Sequence, residues 1–111
     1  MRYESIVRNS DFARAYRRGK SFVSPFLVTY VLRRRTGGVR VGITTSKKIG
    51  GAVQRVRARR VIRAALAATG LDEKKNVDLV FVARTATTRV KTPKVEKAMR
   101  AHLAAAGLLD E

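Results

Sequence analysis

Residues 45–69 read TSKKIGGAVQRVRARRVIRAALAAT, and the way this stretch folds decides what the rest of the chain must supply. From Val53 onward there is neither Gly nor Pro until Gly70, and Ala, Arg and Leu favour a helix there. At about 100° per residue, Ala58, Ile62, Ala65, Leu66 and Thr69 gather on one side, the spacing of a buried face. Arg55, Arg59, Arg60 and Arg63 project from the other side, Arg57 lies on its border, and Lys47 and Lys48 stand just upstream. Like charges at i, i+4 cost roughly 0.2 to 0.5 kcal/mol each, and no acidic residue in the stretch offsets them. A solvated helix face normally mixes signs, so a row of one sign reads as the footprint of a polyanion binder.

Working outward, Val39 to Thr45 reads as a strand, with Val41 and Ile43 toward a core and Gly42 and Thr44 opposite. Upstream of it, FLVTYVLRR from Phe26 is a second strand, rich in β-branched and aromatic residues, with Pro25 marking its start. Arg33 to Gly38 holds three arginines and a Gly-Gly pair, which predicts a hairpin loop joining the two strands. Asn9 to Gly19 predicts a short amphipathic helix, capped by Asn9 or Ser10 and closed by Gly19 as C′, with Phe12, Ala15 and Tyr16 on one face. Downstream, Leu71 to Asn76 is a polar link and VDLVFVA (77–83) a strong strand, so strand, basic helix and strand form a βαβ unit. Thr92 and Pro93 predict the N-cap and first residue of a last helix, with Val95, Met99, Leu103 and Ala106 buried and Gly107 at its end. His102 falls in that stripe, where a lone His is a packed structural residue.

The totals agree. One hundred and eleven residues predict one domain over 1–111 with a sizeable core. Lys and Arg number 25 against 8 Asp and Glu, for a formal net charge of +17. Between Asp11 and Asp72 there is no acid, while fifteen of the bases lie there. Such a field self-repels until an anionic partner binds. No apolar run approaches a membrane span, the start MRYESIVRNSDF lacks a signal-peptide core, and an amphipathic helix without Trp or Phe is a poor lipid anchor. With no Cys, a reducing, cytoplasmic setting is expected.

Catalysis by the chain itself is not expected. Metal-assisted phosphodiester hydrolysis wants carboxylates converging on divalent ions, whereas Glu4, Asp11, Asp72, Glu73, Asp78, Glu96, Asp110 and Glu111 sit near element ends or termini. Neither a Ser-His-Asp nor a Cys-His constellation can be drawn. The glycines at 50 and 51 resemble a phosphate-binding loop, but the lysine followed by Ser or Thr is missing.

VRVGITTSKKIGGAVQRVRARRVIRAAL (39–66) resembles the central signature of the bacterial ribonuclease P protein family: a strand ending in Ser-Lys-Lys, a Gly-Asn-Ala-Val turn and a helix opening Arg-Asn-Arg. NSDFARAYRRGKSF (9–22) is similar to the family's first helix and NVDLVFVAR (76–84) to its last strand. Val56 stands where the family has the Asn of Arg-Asn-Arg, and Gly51 where it usually has Asn. The resemblance implies an α+β fold, a two-layer α/β sandwich in the order α-β-β-β-α-β-α with a left-handed βαβ crossover. It implies the accessory subunit of an endoribonuclease whose catalytic RNA, with magnesium, removes the 5′ leader of precursor tRNA; no cofactor is expected on the protein, and neither DNA nor membrane as partner. By position, Lys47, Lys48, Arg55, Arg57, Arg59, Arg60 and Arg63 would face the catalytic RNA. Phe12, Tyr16 and Tyr30 would line the cleft for the single-stranded leader. Composition alone fits a ribosomal-type RNA-binding protein equally well.

Overall fold

The computed structural model describes residues 2–109. In chain order the elements are β1 (Glu4–Ser5), α1 (Asn9–Arg18), β2 (Lys20–Ser24), β3 (Leu27–Arg33), β4 (Val39–Thr44), α2 (Ala52–Thr69), β5 (Val77–Ala83) and α3 (Thr92–Ala105), with single 3₁₀ turns at Lys47–Ile49 and Thr85–Thr88. After the two-residue β1, the order is the expected α-β-β-β-α-β-α. The strands form one mixed sheet, β1-β4-β5-β3-β2.

That order corrects the hairpin reading of Arg33 to Gly38. β3 and β4 do not pair; β5 lies between them, antiparallel to β3 and parallel to β4. All residues of β5 but Val82 are buried, and a strand so apolar gains most at the centre of a sheet, with partners on both edges. The loop instead bonds the approach to β5: Arg34 N–H to Asn76 O at 2.9 Å, Val39 N–H to Glu73 O at 3.3 Å and Val77 N–H to Gly38 O at 3.2 Å. The parallel β4–β5 pair requires a crossover, and α2 provides it.

The two faces of β5 build two cores. Leu79 and Phe81 join Leu27, Val31, Val41, Ile62, Leu66, Val95, Met99 and Leu103 between the sheet and the α2–α3 layer, the sandwich proper. Val80 and Val82 point the other way, where α1 lies across the sheet with Ala15, Phe12, Ile6 and Tyr30. In α2 the buried residues are Ala58, Ile62, Ala65, Leu66 and Thr69, the face read from the sequence. Between β4 and α2 the chain turns at Gly50, whose φ of 135° and ψ of −158° suit glycine alone.

Helix boundaries differ by a residue from expectation. Arg8 and Lys91 hold the N-cap positions of α1 and α3 without a side-chain cap bond, so Asn9 and Thr92 are already helical. Gly19 is extended (φ −72°) and not left-handed; a Cβ there would collide with Ala15 O, so close approach explains it better than backbone freedom. His102 is buried and its Nδ1 lies 2.8 Å from Thr29 Oγ1, a polar tie between β3 and α3.

Candidate nucleic-acid interface

The cation row is built by α2 and the turn before it. Ser46 Oγ accepts Lys48 N–H at 3.3 Å, holding the turn that exposes Lys47 and Lys48 beside the helix start. Arg57, Arg60 and Arg63 are exposed, Arg55 and Arg59 half-buried. The ion pairs among the described residues use Arg2, Arg14, Arg34, Arg40 and Arg100; none of the seven cations takes part. The first turn of α2 also holds no acid, so the positive end of its dipole is uncompensated.

The aromatics stand on the opposite face of the sheet. Tyr16 and Tyr30 meet edge to face with centroids 4.9 Å apart, and Tyr16 Oη lies 2.8 Å from Thr44 Oγ1. Across the strands Tyr30, Val80 and Gly42 form one row. Phe12 covers Gly42, where a Cβ would meet its ring at 2.5 Å. Glycine here lets an aromatic ring lie directly on the backbone of β4.

The two groups meet at the edge of the sheet. β1 pairs only with Arg40 and Val41 of β4, and where it stops, a cavity of about 270 Å³ opens, lined by Phe12, Gly42 and Ile43 and by Arg59 and Arg63 from α2. Arg59 Nη1 donates to Ile43 O at 3.1 Å, fixing a guanidinium against that edge. Phe12 of the proposed cleft thus shares a cavity with two members of the cation row, whereas Arg57 and Arg60 line a separate groove. Ser5 and Ile6, which also line the cavity, were not foreseen: a two-residue strand has too little periodicity to show in the sequence.

The most deeply buried carboxylate is committed elsewhere. Asp78, with its side chain 1% exposed, accepts from Arg40 at 2.8 and 2.7 Å and from Arg34 at 2.8 Å. Burial pushes its pKa up, but the hydrogen bonds and charges of Arg40 and Arg34 outweigh that and hold it below the usual value. Arg40 reaches on to Asp11 of α1 at 3.4 Å, so the network fastens α1 to the sheet. Among the described residues no three His, Asp or Glu gather as metal donors.

An acid-free arginine row on a helix that meets Phe12 at a sheet edge marks a small α+β protein with a dedicated cationic face, the footprint that nucleic-acid binders carry. The Ribonuclease P family model matches residues 1–107, and the chain belongs to that family. The ribonuclease P protein component of Clostridioides difficile strain 630 is 37% identical over 101 residues, covering 89% of this chain and 88% of its own. That of Clostridium novyi strain NT is 38% identical over 107 residues, covering 95% of each. The Staphylococcus aureus RNase P protein structure superposes with a TM-score of 0.81 at 26% identity, covering 98% of this chain and all of its own. The Thermotoga maritima RNase P protein, at 21% identity and a TM-score of 0.79, covers 97% and 99% and shares the fold.

Proposed function

We propose that this chain, as the protein subunit of ribonuclease P, holds its catalytic RNA with Lys47, Lys48, Arg55, Arg57, Arg59, Arg60 and Arg63, and the single-stranded 5′ leader of precursor tRNA in the cleft of Phe12, Tyr16 and Tyr30. The observation that carries the reading is the cavity at the β4 edge, where Phe12 and the Arg59–Arg63 pair face one space. A strand leaving the aromatic floor enters phosphate-binding cations without leaving the protein. Stacking on aromatics is worth roughly 1 to 3 kcal/mol per base and tolerates sequence, as leaders of many tRNAs demand.

The RNA, with magnesium, breaks the phosphodiester. The protein's part is electrostatic: cations beside the RNA offset phosphate repulsion and so lower the magnesium needed. The cytoplasm, where precursors are transcribed, is the place of action; the absence of cysteine suits it, and no described helix is long and apolar enough to cross a membrane. Reconstitution with the matching catalytic RNA at low magnesium tests the whole. Leader removal should accelerate on adding the protein, and no acceleration refutes the reading.

A further inference from the structure

The basic face of α2 is not uniformly basic. Val53 is 80% and Val56 48% exposed, and with exposed Ala52 they make an apolar strip one helical turn long, at i, i+1 and i+4. Val56 and Ala52 belong to two concavities at once. One, of about 550 Å³, is completed by Val53, Arg57 and Arg60; the other, of about 290 Å³, by Thr45, Arg55 and Arg59. Val56 is therefore a ridge with two guanidiniums on either side. Leaving valine in water here serves neither core, and phosphate contact gains nothing from it.

We propose that this ridge seats the face of an unpaired nucleobase of the catalytic RNA, the four arginines taking the phosphates on either side of that nucleotide. The inference rests on the family reading for the identity of the partner. Charge complementarity selects the occupant: a second copy of this chain would set arginine against arginine, and a lipid surface would meet only three small side chains. An RNA duplex presents phosphates and groove edges and would leave the valines wet. A base turned out of its stack brings an apolar face and a flanking negative charge together. The ridge thus selects a loop or bulge at this point of the RNA over a continuous helix.

The test measures binding of the full chain to its catalytic RNA across a range of salt concentrations, with chemical probing of unpaired nucleotides in the same complexes. Removing an apolar contact shifts the log K against log salt line without changing its slope, because no counterion is involved. For Val53→Ser/Val56→Ser the expected result is affinity lower by about five- to tenfold, in keeping with partial burial of two valines, at an unchanged slope. One nucleotide protected by the wild type should become reactive again, and Val56→Leu should keep the protection. Both valines are exposed, so an unchanged thermal melt separates loss of contact from loss of fold. Affinity within twofold of wild type, with the same protections, overturns the proposal; so does a variant that keeps full RNA affinity but no longer binds an acidic peptide that the wild type binds. Should the wild type itself fail to bind the catalytic RNA, the family-level function fails first, and the two failures are told apart.

Discussion

Phe12 lies so close over Gly42 that a single methyl group at position 42 would stand 2.5 Å from its Cε1 and 2.7 Å from its Cζ. The Phe12 ring and the backbone of β4 are in direct contact, so the position of the ring is set by the absence of a side chain beneath it. Gly42→Ala should push the ring away at a cost of about 1 to 3 kcal/mol in stability, the usual range for overpacking. The reconstituted holoenzyme should then lose most of its preference for precursor carrying a leader over leaderless tRNA. Affinity for the catalytic RNA, measured separately, should stay as it was, because the exposed cations of α2 are untouched.

The bonds around Asp78 make a second prediction. Removing one partner of a buried ion pair leaves uncompensated charge and costs about 3 to 5 kcal/mol, a large part of the roughly 5 to 15 kcal/mol that holds a small domain folded. Asp78→Asn should lower the urea midpoint accordingly. The folded pKa of Asp78 lies below its unfolded value, so its contribution is fully present above about pH 3.9 and is lost as pH falls through the folded pKa. In acid titrations followed by circular dichroism, the variant should therefore show a shallower fall in stability below about pH 4 than the wild type.

These two relationships also mark what the sequence could and could not show. The buried side of α2 was legible residue by residue, because 3.6-residue periodicity is written in a long uninterrupted helix. β5 was legible as a strand from its continuous apolar run, but its place between β3 and β4 was not, since local turn signals favour joining neighbours in the chain. The basic row could be read because charge and period coincide. The meeting of Phe12 with Arg59 and Arg63, the Arg40 bridge from Asp78 to Asp11 and the burial of Tyr3, whose hydroxyl donates to Leu71 O at 2.6 Å, all depend on pairings of distant segments. No periodicity records those.

His102 gives a pH prediction of its own. Burial disfavours the charged imidazolium and lowers its pKa from the ordinary 6.5. The unfolded chain then binds more protons than the folded one below that value, so this contribution is complete above about pH 6.5 and declines as pH falls toward the folded pKa. Because the chain has a single His, a drop in Tm between pH 7.5 and 5.5 can be assigned to it. The drop should vanish in His102→Gln, which keeps a polar group near Thr29. A variant that melts with the same pH dependence as the wild type across that window would contradict the assignment.

Charge alone cannot tell a dedicated face from diffuse attraction, but Arg63 and Arg100 can. Arg63 is exposed and lines the cavity at the β4 edge, in a row without acids. Arg100, equally cationic, bonds Glu96 at 2.8 Å and Ala68 O at 2.7 Å, tying α3 to the last turn of α2. If α2 is the phosphate face, Arg63→Ala should weaken binding of the catalytic RNA and reduce the slope of log K against log salt by about 0.7 to 0.9, one counterion's worth. Arg100→Ala should lower the melting temperature and leave that slope within error of the wild type. A fall in slope of the same size in both variants would mean that the +17 charge acts as a diffuse field, and the assignment of RNA contacts to the arginine row would fall with it.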